Sequence, residues 1–215
     1  EEGTDADLVR RCAESAGRTA SAAGVAVVAG DTKVVPRGKG DRVYAVSAGL
    51  GVVPPGRDVG DHRVTTGDCI LASGPLGDHG ATIMACRHSL LGDTLRSDCA
   101  PVNELVETLF SAGVEVHAMH DPTRGGALGV CHEVATRTGL RLVLDEASLP
   151  FRPEVRAVSE VLGLEPLGLA CEGRFLAWVA ARDVERALAA LRDHAQGRDA
   201  CLVGRVEARG EGDAG

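Results

Sequence analysis

Carboxylates, a lysine and an arginine set beside glycines mark the places where this chain could do chemistry. Gly30-Asp31-Thr32-Lys33 follows the apolar run Val25–Ala29. Glycine lets a backbone turn sharply or approach a ligand closely. Asp31 offers a hard oxygen of the kind that Mg²⁺ on a nucleotide takes. Lys33 offers a cation for a phosphate or a proton to exchange, and Gly30 and Thr32 share the turn. The same four residues also make an ordinary turn, in which Asp31 bonds its own backbone.

A second stretch, Ser73-Gly74-Pro75-Leu76-Gly77-Asp78-His79-Gly80, reads as a strand-to-helix loop. Such loops aim backbone N–H groups at anions, helped by the positive end of the helix that follows, which makes Gly74, Gly77 and Gly80 candidates for a phosphate site. The loop lacks the Gly-Lys-Ser/Thr ending of a Walker A motif, and its glycine spacing is not that of a dinucleotide fold. An ordinary connection explains it equally well.

Asp121-Pro122-Thr123-Arg124-Gly125-Gly126 is more particular. Asp121 suits a helix N-cap and Pro122 the first helical position. Arg124 and the two glycines have no such explanation. Glycines weaken a helix start, so close approach of a ligand or of another chain segment is expected there, with Arg124 binding a phosphate through two N–H groups. Cys171-Glu172-Gly173 lies between apolar Leu167–Ala170 and a strand at Phe175. Glu172 there is either a partly desolvated, basic carboxylate or an exposed turn residue. His79, His120 and His132 have no ligand spacing and read as surface or helix-cap histidines.

The elements that must position these residues follow from periodicity and breakers. Helices are expected over Asp5–Ala22, Ala81–Leu91, Val102–Ala112, from the Asp121 segment to about Thr138, over Pro153–Leu162 and over Val184–His194. Strands are expected at Val25–Ala29, Val43–Val53, Asp68–Ser73, Val114–Met119, Arg141–Asp145, Phe175–Ala180 and Cys201–Glu207. Residues Gly210–Gly215 read as a frayed end. Pro54-Pro55-Gly56-Arg57-Asp58 breaks the pattern and suggests domains of 1–55 and 56–215. Alternation of strands and helices, without an internal repeat, gives an α/β or α+β class.

Composition narrows the function classes. A net charge of −8 argues against nonspecific nucleic-acid binding, which needs Lys and Arg on phosphates. It leaves a nucleotide ligand open. No run of about 18 apolar residues suggests a membrane span, and the start has no signal-peptide pattern. The seven cysteines, Cys12, Cys69, Cys86, Cys99, Cys131, Cys171 and Cys201, form no C-x-x-C pair. They read as reduced, buried thiols of a cytoplasmic protein.

Taken in order, Val27–Val35, Ser73–Gly80, Asp121–Gly126 and Cys171–Gly173 resemble the HypE family of carbamoyl dehydratases from hydrogenase maturation, along nearly the whole of Asp5–Glu207. The resemblance implies two α/β domains of the aminoimidazole ribonucleotide synthetase type, with ATP in the cleft between them and dimerisation through the N-terminal domains. It implies a carbamoyl group received from a HypF-type carbamoyltransferase on a C-terminal cysteine, ATP-dependent dehydration to thiocyanate, and delivery of cyanide through a HypC–HypD complex. Asp31 matches the position that holds Mg²⁺–ATP. Lys33 and Glu172 match those that remove protons from the thiocarboxamide. Asp121 and Arg124 match the segment facing the phosphates.

The chain departs from the family in three places. It lacks the Pro-Arg-Ile-Cys-like tail and the acidic N-terminal segment, so it reads as truncated at both ends, with 1–55 the back half of an N-terminal domain. Cys171 stands where the family usually has Asn, and no cysteine matches the terminal one. Alternatives are another ATP-dependent superfamily member, such as a selenophosphate synthetase, and a noncatalytic fragment that binds maturation partners.

Overall fold

The computed structural model describes residues 1–90 and 94–210. It forms two compact units, Glu1–Arg57 and Asp58–Gly215.

In the first unit, Asp5 caps helix α1 (Ala6–Ala22) by accepting the Asp7 N–H at 2.9 Å. The helix has no buried residue. The Glu1 ammonium donates to Arg42 O at 2.8 Å, and the Glu1 carboxylate takes the N–H groups of Gly38 and Arg42. The strands expected at Val25–Ala29 and Val43–Val53 are absent among the described residues. Val25, Val27, Val28, Val46, Val52 and Val53 are exposed, and among the described residues no neighbouring backbone supplies a ladder. A strand is stable only against a partner and a covered face, so apolar alternation alone does not make one.

The second unit is built on one antiparallel sheet of order β2-β4-β1-β5-β3. Its strands are β1 (Cys69–Ala72), β2 (Val116–His120), β3 (Arg141–Leu144), β4 (Leu176–Val179) and β5 (Cys201–Glu207). Each lies within the stretch read from the sequence or ends one residue from it. Ile70 pairs with Trp178, and alternation sends both to one face. Leu71 and Ala177 go to the other. Both faces are covered, which is why β4 reads Leu-Ala-Trp-Val without a polar residue and is buried throughout.

Helix α4 (Gly126–Thr138) covers the first face through Ala127, Cys131 and Val134. Helices α3 (Asn103–Ser111) and α6 (Val184–Asp193) cover the second through Leu105, Leu109, Leu188 and Leu191. Helices α2 (Asp78–Arg87) and α5 (Pro153–Leu162) pack through Ala81, Ala85, Val155 and Val158. Helix α5 runs over the residues read from the sequence, between Pro153 in its first turn and a left-handed Gly163 at φ 64°.

Two helix starts differ. Helix α2 begins at Asp78 and ends at Arg87, and Leu91 lies outside the described residues, as do the last residues of the expected frayed end, 211–215. Helix α4 begins at Gly126, so Asp121 is not its N-cap and Pro122 not its first residue. Gly125 and Gly126 have φ of 84° and 60°, and that left-handed backbone separates the Asp121 turn from the helix.

Candidate functional site

The second unit brings three of the four sequence segments together. The Cys171 N–H donates to Pro122 O at 2.8 Å, tying the Cys171–Gly173 segment to the Asp121–Gly126 segment. The Gly77 N–H points at Cys171 Sγ at 3.1 Å, tying in the glycine-rich loop. Cys171 is therefore the junction, and burial pushes its thiol up to about 12. A thiol that stays protonated is a packing group rather than a nucleophile. Cys131, also buried, is pushed up to about 12 as well. All seven cysteines are free, but Cys12, Cys86 and Cys99 are exposed, so the expectation of buried thiols holds only for part of the set.

The glycines serve this junction. A Cβ on Gly126 would stand 2.3 Å from Leu167 O, and one on Gly80 would stand 2.7 Å from Ala170 N. The close approach expected at the glycine pair is thus made by another chain segment, residues 166–170. The glycine-rich loop is also not an open anion cradle. Its N–H groups at Ser73, Leu76 and Gly80 donate to Phe175 O, Pro150 O and Ala170 O, and Gly77 is taken by Cys171. Residues 73–78 are buried. Gly74 instead lies 3.1 Å, by its Cβ direction, from the Arg174 guanidinium. Four of the loop's N–H groups, those of Ser73, Leu76, Gly77 and Gly80, are thus used within the protein.

Asp121 and Glu172 line one cavity of about 280 Å³, with His120 and Arg174 as further polar groups and Val102 and Phe175 among its apolar walls. Glu172 is exposed rather than desolvated. Its backbone N–H donates to Asp98 Oδ1 at 3.0 Å. Arg174 is held by Gln196 O at 2.7 Å. His120 is not a plain surface histidine. Its Nε2 meets Asp61 Oδ1 at 2.6 Å, Arg137 binds the other Asp61 oxygen at 2.9 Å, and the ring stands edge-on to Trp178. His79 Nδ1 meets Ser97 Oγ at 2.9 Å, while His132 is exposed.

Within the glycine-rich loop, Asp78 is buried and bound to Arg152 at 2.9 Å. Burial lifts its carboxyl above the usual range against the pull of that arginine. Arg124 is exposed on the turn before α4 and has no ion pair among the described residues.

In the first unit, Asp31 Oδ1 accepts the Thr32 N–H at 2.8 Å, the local turn that the sequence allowed. Gly30, Asp31, Thr32 and Lys33 are all exposed. A Cβ on Gly30 would meet nothing within 4 Å, so no packing demand explains that glycine. Carboxylate, hydroxyl and ammonium groups of the kind that a polyphosphate and its cation take stand exposed beside it, while in the glycine-rich loop the Gly77 and Gly80 N–H groups are already taken. Among the described residues no group of three or more His, Cys, Asp or Glu side chains is arranged to hold a metal. No helix among them is long and apolar enough to cross a membrane.

Asp98 and His120 were not legible as site residues. Each reaches its place through a partner distant in sequence, Glu172 or Asp61, and no local spacing announces it.

Comparison with known proteins fits this architecture. Residues 65–215 match the family described as AIR synthase related protein, C-terminal domain. The carbamoyl dehydratase HypE of Rhodobacter capsulatus is 46% identical over 99% of this chain. A crystal structure of Escherichia coli HypE superposes with a TM-score of 0.91 at 41% identity, over 97% of this chain and 65% of that one. A HypE structure in complex with ATP gives 0.87 at 37% identity, over 98% and 63%. A HypE–HypF complex gives 0.87 at 34% identity, over 97% and 68%. The chain spans 63% of the length of the Rhodobacter relative. With a matching domain over most of its length and this likeness to solved members, the chain belongs to the HypE family of AIR synthase-related proteins.

Proposed function

We propose that this chain is part of an ATP-dependent carbamoyl dehydratase that converts a C-terminal cysteine thiocarboxamide into a thiocyanate during hydrogenase maturation. The observation that carries this reading is the meeting of the Asp121 and Glu172 segments at one cavity, in a chain related to HypE proteins over almost all its length. A relative's structure with ATP and another with HypF support ATP as the phosphate donor and a HypF-type carbamoyltransferase as the partner. Delivery to a HypC–HypD complex, a homodimer formed through the N-terminal domain and a cytoplasmic location complete the reading. Residues 1–55 would be the back half of an ATP-binding domain, and their exposed valines support that assignment.

The chemistry balances without a redox step. The thiocarboxamide oxygen takes the γ-phosphoryl group of ATP and leaves as phosphate. The two protons on nitrogen are lost, and the carbon–nitrogen bond becomes triple. Glu172 and Lys33 are the residues assigned to accept those protons. Arg124, exposed and without an ion pair among the described residues, would neutralise phosphate charge through two N–H groups, and Asp121 stands on the same turn. Asp31 and Thr32 would hold the nucleotide's Mg²⁺ and polyphosphate in the first unit, the carboxylate supplying a hard oxygen.

Glu172→Gln tests the reading. Loss of one general base costs about 10²–10⁴ in rate, so loss of water from the carbamoylated cysteine, followed by mass spectrometry, is expected to slow by that range with ATP binding intact. A normal rate would leave Glu172 a turn residue. Asp31→Asn is expected to weaken ATP binding in the presence of Mg²⁺, measured by calorimetry, because an amide is a poorer ligand for a hard cation.

A further inference from the structure

The segment Ser97-Asp98-Cys99 lies outside every stretch that the sequence singled out, yet it touches two of them. Asp98 Oδ1 accepts the Glu172 N–H at 3.0 Å across 74 residues of chain. Ser97 Oγ lies 2.9 Å from His79 Nδ1 at the start of α2 and accepts the Cys99 N–H at 3.1 Å. On the other side of Glu172, the Cβ direction of Gly173 points to within 1.9 Å of Asp98 O and 2.9 Å of Ala100 N. No side chain fits there, so the Glu-Gly step lies flat on the 98–100 backbone. Asp98 Oδ2 is buried with no hydrogen-bond partner among the described residues. A carboxylate oxygen left that way lowers stability, which a residue kept only for folding does not explain.

We propose that Asp98 is a positioning residue for Glu172, fixing the backbone from which the Glu172 carboxylate enters the cavity and joining it to the glycine-rich loop through Ser97 and His79. The inference rests on the reading of Glu172 as a base. One hydrogen bond and one close backbone contact set where the side chain starts, and a base works only within hydrogen-bond reach of its proton. Asparagine keeps an accepting oxygen for the Glu172 N–H and removes the charge; alanine removes both.

The test uses the gene's full-length product, carbamoylated by its HypF-type partner, with dehydration followed by mass spectrometry and ATP affinity by calorimetry. Asp98→Ala is expected to slow dehydration about three- to tenfold, the worth of one hydrogen bond, with ATP affinity unchanged. Asp98→Asn is expected to recover the rate. Added to Glu172→Gln, Asp98→Ala is expected to bring no further loss. Exchange of the Glu172 amide proton, read by NMR, is expected to speed up in Asp98→Ala and stay protected in Asp98→Asn. Should Asp98→Ala not fold, Asp98→Ser, with a hydroxyl too short to reach the amide, takes its place. A loss that adds fully to that of Glu172→Gln, or an Asn variant as slow as the Ala variant, overturns the proposal. So does an unchanged rate in Asp98→Ala beside a slow Glu172→Gln. A fully active Glu172→Gln removes the base itself, and the positioning role falls with it.

Discussion

Residues 1–57 and 58–210 draw on the same small apolar residues and end in opposite states. In the second unit Val134, Val155, Val158 and Val179 are at most 1% exposed, around a fully buried Trp178. In the first, Val28 is 91% and Val46 95% exposed. Composition does not separate them. The second unit supplies five strands that pair in register and helices for both faces of the sheet. Among the described residues the first supplies one helix and a hydrogen-bonded clamp around Glu1. Burial therefore depends on having a second surface to pack against, and hydrophobicity is only its precondition.

The largest expected effect tests that contrast directly. Leu109→Ala, at a position with no exposure, is expected to destabilise by about 2–5 kcal/mol through lost burial and the cavity left behind. Val28→Ala is expected to stay within about 0.5 kcal/mol. Urea unfolding followed by circular dichroism reads both units, and the fluorescence of Trp178, the single tryptophan, reports the second unit alone. Equal losses for the two variants would mean that the first unit has a core of its own.

Glycines sharpen the same comparison. Gly126→Ala combines a left-handed backbone with a Cβ 2.3 Å from Leu167 O, and about 2–4 kcal/mol is expected to be lost. Gly30→Ala meets open space and is expected to leave the unfolding midpoint unmoved. If Gly30→Ala nonetheless weakens ATP binding in the full-length product, its glycine serves the ligand rather than the fold.

A smaller effect concerns pH. His117 is buried between Asp68, 2.7 Å from Nδ1, and Glu115, 3.2 Å from Nε2. Burial pulls its pKa down, but the hydrogen bonds and charges of the two carboxylates raise it more, and the balance lies above the ordinary value. Arg63 and Arg182 hold Glu115 from outside. A raised folded-state pKa means that the protonated ring stabilises fully below the unfolded value of about 6.5, and that this stability is lost as pH rises through the folded value. The urea midpoint is expected to fall between pH 6 and pH 8, and His117→Gln to flatten that dependence. A midpoint rising over that interval would reverse the assignment. The smallest effect belongs to the first unit. Removing Arg10 from its pair with Asp7, where both side chains are more than half exposed, is expected to change stability by less than about 0.5 kcal/mol.

The sequence by itself determined the strands and helices of the second unit, because each carries its own period and its own stop: Pro153 and Gly163 bound α5, and four apolar residues define β4. It also marked Asp121 and Glu172, since a charged residue beside glycines departs from the needs of packing. Only the tertiary structure decided what those glycines do. Gly77, Gly80 and Gly126 read as an anion loop or a ligand contact, and they serve the approach of residues 166–170 and Cys171. It alone decided that Val25–Ala29 and Val43–Val53 form no strands, because a ladder needs a neighbour that no local pattern reveals. It alone set Asp98 under Glu172 and Asp61 against His120. Periodicity is a property of neighbours in the chain, whereas a hydrogen bond across 74 residues exists only once the chain has folded.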